Sequence, residues 1–410
     1  MRKFLKESFL VSVTEYLMLG TVFVINILLS RYYDLTALGT FSFCYAISQI
    51  AVLGLGSGLS LILRRELSLE PEKFNPYIKV VLKLRFFLLT GILLLLLPIV
   101  FGLKSNQDNI LLYLAILILS KGFDSFSETY YTSYQSIQQY KTYTVIKSSN
   151  AIVSLLAVTA ACFWKMDALF IYLGLLLVSA VFFCINVVVS NTSIPFSIDA
   201  PKNTLTEVEK YFIKESWPLM MNAIFFQIGS RIPVVVVFAF MGKYAAGLFS
   251  VGLTLVTIFT ASASALGVVL FPTLNNIYHE TSDRLWPFIK KTSVYILLLG
   301  AGIYGLFIIL FPFIKQIFGK IPNEADAVFF MMGAAIPFVF LLGVFGNIFT
   351  IIHQQKKGMW VAFTVVLVNL LLLILFLHFF GEKGFAIAYS VGSVFQIAAI
   401  MIIAQKLLKK

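Results

Sequence analysis

The chain has 410 residues, 60% of them hydrophobic and 12% charged, with a net charge of +12 and a mean hydropathy of +0.93. Soluble domains carry about 25% charged residues, so this chain lacks the charge to cover a water-facing surface of its size. Its basic residues are spread along the whole length, which excludes the single concentrated patch of a nucleic-acid surface.

From the N-terminus, Arg2, Lys3 and Lys6 precede an apolar stretch that runs on to Arg31. A signal peptide has an apolar core of about 7–15 residues and a small-residue cleavage site; this stretch is longer and reads as a retained first span. A span needs about 20 mostly apolar residues. That criterion predicts twelve, at 8–31, 37–63, 78–102, 109–134, 142–164, 168–190, 214–241, 244–272, 287–313, 325–352, 358–380 and 384–405. The longest polar stretch, 191–213, contains Pro195, Pro201 and Glu207-Val208-Glu209-Lys210. Thr204 and Glu207 have capping-box spacing, which predicts a short surface helix leading into the seventh span. The expected organisation is an N-terminal six-helix lobe over 1–190, a cytoplasmic linker over 191–213 and a C-terminal six-helix lobe over 214–410.

Placing the N-terminus inside puts Arg64, Arg65, Lys73, Lys79, Lys202, Lys210, Arg284, Lys290, Lys291, Lys356, Lys357 and most other basic residues on the inner side. Only Arg31, Lys104, Lys165, Lys243, Lys315, Lys320 and Lys383 fall outside. The bias predicts both termini cytoplasmic. Cys44, Cys162 and Cys184 all lie in apolar segments without metal-ligand spacing, and read as buried free thiols. His279, His353 and His378 are isolated in sequence, again without metal spacing. No catalytic or metal site is expected.

Charged side chains at membrane depth cost about 2.5–3.5 kcal/mol each on insertion scales and mark function by default. The fourth span is the densest: Lys121, Asp124, Ser125, Glu128, Thr132 and Gln135 fall within about a 100° arc at the helical repeat. The seventh span holds Arg231, with Gln227 one turn earlier on the same face and Pro233 just beyond. Arg presents a planar fork of donors suited to carboxylate or phosphate oxygens. Lys121, Ser125, Gln227 and Arg231 are the candidate substrate-binding residues. Glu15, Asp124 and Glu128 are candidates for coupling to a proton or sodium gradient. The competing structural reading pairs Lys121 with Asp124, and Arg231 with Glu15 or Glu128. Glu15, Lys121, Asp124, Glu128 and Arg231 together carry one net negative charge. Lys83, Arg85 and Lys147 read as interfacial side chains that snorkel. Asn26 lies on the face of Glu15, and the stripe Ser250, Thr254, Thr257 and Ser264 and the set Asn347, Thr350 and Gln354 can hydrogen-bond a polar ligand; close helix packing is the preferred reading of the Ser/Thr stripe.

At an offset of 208 residues, Glu7-Ser8 falls on Glu215-Ser216, and Ala37, Gly39, Phe41 and Ser42 fall on Ala245, Gly247, Phe249 and Ser250. The offset joins span one to seven and two to eight. An even number of spans per half gives both halves the same orientation, related by an axis along the membrane normal.

Gly39-Thr40-Phe41-Ser42-Phe43, the Gly54-Leu55-Gly56-Ser57-Gly58 run, Arg64-Arg65, Ser230-Arg231-Ile232 and Gly247-Leu248-Phe249-Ser250 resemble the polysaccharide transporter family, which includes O-antigen and other lipid-linked oligosaccharide flippases. The family often carries an acidic residue just before the span-seven Arg, where this chain has Ser230. The resemblance implies the fold of the multidrug/oligosaccharidyl-lipid/polysaccharide exporter superfamily: an all-α integral membrane protein whose two six-helix lobes form a V around a central cavity. It implies a lipid-linked sugar repeat unit as substrate, moved from the inner to the outer leaflet, with a polysaccharide polymerase and a chain-length regulator as partners and no cofactor beyond an ion gradient. The sister multidrug branch, a cation-coupled exporter, is the runner-up. A glycan polymerase or glycosyltransferase would place its chemistry on a large outer loop, and the predicted outer loops are short. The chain has no P-loop, so ATP is not the direct drive.

Overall fold

In hydrocarbon every backbone donor and acceptor must be satisfied within its own segment, so apolar runs of this length become helices. The structure, a computed structural model, describes residues 2–53, 56–102, 109–193, 202–280, 282–319, 321–346 and 348–408. Its helices are α1 (Arg2–Leu28, continued by a π turn at Leu29–Tyr33), α2 (Leu35–Leu53), α3 (Ser57–Leu69), α4 (Phe74–Gly102), α5 (Ile110–Ser136), α6 (Tyr140–Phe163) and α7 (Ala168–Ser193). They continue with α8 (Lys202–Glu280), α9 (Ser282–Phe318), α10 (Asp326–Gly333), α11 (Ile336–Phe345), α12 (Ile348–Ile351), α13 (Gln355–Phe380) and α14 (Glu382–Leu408). Among the described residues there is no strand.

Among the described residues ten stretches are long and apolar enough to cross a membrane. One of them, Ile228–Ala263, contains Gly242 at φ 84° and ψ −174°, a conformation that breaks the 79-residue α8 into two arms. The 29-residue α4 adds another long apolar helix. The all-α, multi-pass architecture of about a dozen spans expected from hydropathy is therefore present.

Three elements differ from the expected spans. The second is two helices: α2 ends at Leu53 and α3 starts at Ser57, across the glycine-rich run. The tenth is three, α10 to α12. The linker helix and the seventh span are continuous in α8, which begins at Lys202; the side chain of Thr204, the expected cap, lies outside the described residues.

The chain divides into two compact units: Met1–Tyr33 with Thr40–Ile232, and Asp34–Gly39 with Pro233–Lys410. The first unit thus takes in the start of α8. Phe212 is fully buried in its core beside Leu63, Leu67 and Phe74, with its ring 5.6 Å from that of Tyr77. Around it the Arg65 guanidinium donates to Tyr211 Oη at 2.5 Å, Tyr211 donates to Glu66 at 2.9 Å, and Lys83 pairs with Glu209 at 2.6 Å. Lys83 is therefore an anchor for the linker helix as well as an interfacial cation. Gly58 lets α3 approach α8 closely, since a Cβ there would lie 2.5 Å from the Ser216 carbonyl oxygen.

The second unit contains a crossing of the two repeated segments. A Cβ on Gly39 would overlap the Lys243 carbonyl oxygen, and a Cβ on Gly247 would overlap the Leu35 carbonyl oxygen. At the 208-residue offset, Leu35 corresponds to Lys243 and Gly39 to Gly247. The contact is thus symmetric under exchange of equivalent residues, and only hydrogen in place of a side chain permits it. Further in, Phe249 packs edge-on against Phe385 at 5.2 Å.

Gly39→Val should prevent accumulation of folded protein, because the obstacle is backbone on a packed helix. Gly20→Ala, where an added Cβ meets nothing within 4 Å, should accumulate normally. Fluorescence-detected size-exclusion chromatography of tagged variants reads both; a monodisperse Gly39→Val peak at parental yield would contradict the crossing.

Candidate functional site

The fourth predicted span becomes α5; in its polar arc Ser125 and Thr132 are buried, while Lys121, Asp124 and Glu128 are partly exposed. Lys121 Nζ pairs with Asp124 Oδ2 at 2.6 Å, one turn apart, and sits 5.0 Å from the centroid of the Tyr45 ring on α2. The guanidinium carbon of Arg231 on α8 lies 5.9 Å from the same ring. Two cations from helices distant in sequence therefore approach one aromatic ring, a favourable contact for each. Among the described residues no carboxylate lies within 4.0 Å of Arg231, and its buried Nε has no hydrogen-bond partner. The side chain of Gln227 lies outside the described residues. Ser125 is buried with an unpartnered hydroxyl.

The remaining charges form a second group. Glu15 on α1 accepts from Tyr143 Oη at 2.6 Å and from Lys147 Nζ at 2.9 Å, both on α6. Glu128 on α5 is 4.0 Å from the same ammonium. Lys147 also lies 5.2 Å from the Tyr143 ring centroid and 5.8 Å from that of Tyr131. Neither Glu15 nor Glu128 locks Arg231, as the structural alternative had it; both turn to Lys147. Nor does Lys147 snorkel: its side chain is only 14% exposed and holds two carboxylates. Arg85 on α4 departs further from that expectation, being fully buried. Sequence reasoning missed both because depth along a helix does not say which face a side chain occupies. Exposed Phe86 and Phe87 beside Arg85 mark the outer face of α4 and are the signal that could have found it. With Lys147 and Arg85 included, the one net negative charge among these groups becomes one net positive.

The hydroxyl stripe on α8 turns to its own helix. Ser250 donates to Ala246 O, Thr254 to Ser250 O and Thr257 to Leu253 O, each at 2.7 Å. Such back-bonding is what packed membrane helices use. The side chain of Ser264, and Asn347 altogether, lie outside the described residues. Asn26 is buried on α1. His279 and His353 are not isolated in space, their rings being 5.8 Å apart. Cys44 and Cys162 are buried as expected, whereas Cys184 faces outward.

The chain is an all-helical, multi-pass membrane protein with paired charges inside its apolar helices, and its fold is that of solved proteins of the multidrug/oligosaccharidyl-lipid/polysaccharide (MOP) superfamily. The chain is similar to the lipid II flippase MurJ in an inward closed conformation, at 16% identity and a TM-score of 0.68 over 97% of this chain and 88% of that one. It is similar to an inward-facing multidrug resistance MATE family transporter, at 13% identity and 0.69 over 96% and 94%. A MOP superfamily transporter from Pyrococcus furiosus aligns at 14% identity and 0.61 over 98% and 97%. By sequence, no curated protein matches the chain. The pattern of the polysaccharide biosynthesis protein family matches residues 4–278, and the chain belongs to that family.

Removing Lys147 strands two carboxylates. Breaking a fully buried pair costs about 3–5 kcal/mol, and the half-exposed Glu15 and Glu128 bring the expected loss below that range. Lys147→Met should lower the thermal midpoint by several degrees, and adding Glu15→Gln should recover part of the loss. A double-mutant cycle by thermal unfolding in detergent measures the coupling; strictly additive losses would show that the pair carries no stability.

Proposed function

We propose that this protein is a flippase that moves an undecaprenyl-diphosphate-linked oligosaccharide repeat unit from the inner to the outer leaflet of a bacterial cytoplasmic membrane, for cell-surface polysaccharide of the O-antigen type. The observation that carries this reading is the convergence of Lys121 and Arg231 on the ring of Tyr45. Asp124 neutralises one of these cations, which leaves the Arg231 fork with a net positive charge for an anionic head group. Bidentate charge-assisted bonds to phosphate oxygens are the strongest contacts such a site offers. Family membership in polysaccharide biosynthesis and the likeness to a lipid II flippase support the same substrate class. The reaction is transport and not catalysis, with a polysaccharide polymerase and a chain-length regulator as downstream partners.

A proton or sodium gradient drives the cycle in this reading, through Asp124, Glu15 or Glu128, each held against a lysine that a protonated carboxyl would release. The second reading, a cation-coupled exporter of small amphipathic compounds, is favoured by the same carboxylates and by the likeness to MATE transporters. Arg231 separates the two, since an exporter of cations has no use for its unpaired charge.

In proteoliposomes carrying a lipid-linked oligosaccharide, Arg231→Ala should abolish flipping while the protein stays inserted and abundant, and Arg231→Lys should keep partial activity. Imposed proton and sodium gradients should change the parental rate and leave Asp124→Asn less responsive. Full flipping by Arg231→Ala would refute the diphosphate contact, and gradient-indifferent parental flipping would refute the coupling.

Both termini and the linker are placed on the cytoplasmic side in this reading. Introduced cysteines should be labelled from outside at Lys243 and protected at Lys202; the opposite pattern would invert the orientation.

A further inference from the structure

The chain has three histidines, and two of them meet. His279 lies in the last turn of α8 and His353 in the turn between α12 and α13, both within the second unit and both exposed. Their ring centroids are 5.8 Å apart. The ring of Tyr278 completes the group, 5.7 Å from that of His279 and 6.2 Å from that of His353. The three ring planes are inclined to one another by 52°, 58° and 65°, as blades set about one axis are. These residues stand outside the stretches that cross the membrane, which end at Ala263 and Ile351 and resume at Asp283 and Lys356, so solvent reaches them.

Both imidazoles are carried on regular backbone. His353 takes the left-handed conformation, φ 54°, that closes α12: its N–H donates to the Thr350 carbonyl oxygen at 3.2 Å, and that of Gln354 to the Phe349 carbonyl oxygen at 2.8 Å. Histidine accepts this conformation more readily than most residues with a side chain. The start of α13 packs back on α12, since a Cβ on Gly358 would lie 2.8 Å from the Cβ of Phe349. His279 sits on the C-terminal turn of α8, where a helix presents its partial negative charge and favours a cation.

Imidazole suits borderline divalent metals such as Zn²⁺ and Ni²⁺. Three centroids so spaced have a common centre about 3.4 Å from each, and an imidazole nitrogen bound at about 2.0–2.1 Å puts its ring centroid about 3.2 Å from the metal. The pair therefore already stands at chelating distance. Among the described residues no third His, Cys, Asp or Glu joins it, so water fills the remaining positions. Exposed Glu280 adjoins His279, but exposed Lys356 and Lys357 open α13. A cation here is held by coordination rather than by net charge, which disfavours hard ions such as Mg²⁺ that take oxygen ligands.

We propose that His279 and His353 chelate a divalent transition metal of the Zn²⁺ class, with Tyr278 walling one side, and that the metal ties the end of α8 to the α12–α13 turn. The site is separate from the Lys121 and Arg231 pair and does not depend on the transport substrate.

The test uses the full-length protein in detergent, purified on a tag without histidine. Zn²⁺ should raise the unfolding midpoint of the parent by a few degrees, saturably, as a ligand for the folded state does, and a chelator should reverse the rise. Ni²⁺ should substitute, and Mg²⁺ at the same concentration should not. His279→Gln and His353→Gln should each lose the shift, since one imidazole cannot bridge the two segments; both positions are exposed, so both variants should fold. His378→Gln, in the last turn of α13, should keep it. A parental midpoint indifferent to Zn²⁺ and Ni²⁺, an equal shift with Mg²⁺, a shift that survives either substitution, or one lost also in His378→Gln would overturn the proposal.

Discussion

A guanidinium or ammonium at membrane depth must find an acceptor within the protein, and that requirement organises the first unit. Insertion scales put the cost of such a charge at about 2.5–3.5 kcal/mol. Lys121 meets it with Asp124, and Lys147 with Glu15 and the more distant Glu128. The Lys147 pair joins α6 to α1 and α5, and the Lys121 pair sits on α5 one turn apart. Arg231 and Arg85 are the exceptions, each with buried nitrogens left unpaired. An unmet donor in a dry interior is expensive, and Arg231 is where a ligand from outside the chain has most to contribute.

Close backbone approach is the second constraint. At Gly39 and Gly247 the carbonyl oxygens of Lys243 and Leu35 occupy the space where a Cβ would stand. The same device recurs at Gly267 and Gly343, where a Cβ on Gly343 would lie 2.7 Å from the Cβ of Ala263. Hydrocarbon supplies no hydrophobic drive between helices, so association rests on dispersion and on small residues that admit it. Glycine also sets the break at Gly242 inside α8, where φ is 84°.

The linker illustrates how polar sequence becomes structure at the edge of the membrane. Its charges would mark it as a solvated connector, yet Phe212 is fully buried and Val208 packs against the same core. Arg65, Glu66, Tyr211, Lys83 and Glu209 then close over this apolar anchor. Exposed ion pairs of this kind contribute little individually, so the burial of Phe212 does most to bind the linker helix to the first unit.

Hydropathy alone determined the all-helical, multi-pass class, because lipid imposes one rule on every segment; that the second and tenth expected spans are broken into shorter helices came only with the structure. The 208-residue offset even identified the two segments that meet at Gly39 and Gly247. Spacing along α5 found the Lys121–Asp124 pair, since i and i+3 positions are neighbours on any helix. The tertiary structure decided everything that depends on rotation about a helix axis or on contacts between distant segments. It brought Arg231 to Tyr45 and Lys121, sent Glu15 to Lys147, joined His279 to His353, and turned Arg85 inward. A helix such as α4, apolar nearly all round, carries little amphipathic signal to mark its inner side, unlike α5 with its polar arc. Only packing against neighbouring helices supplies that choice.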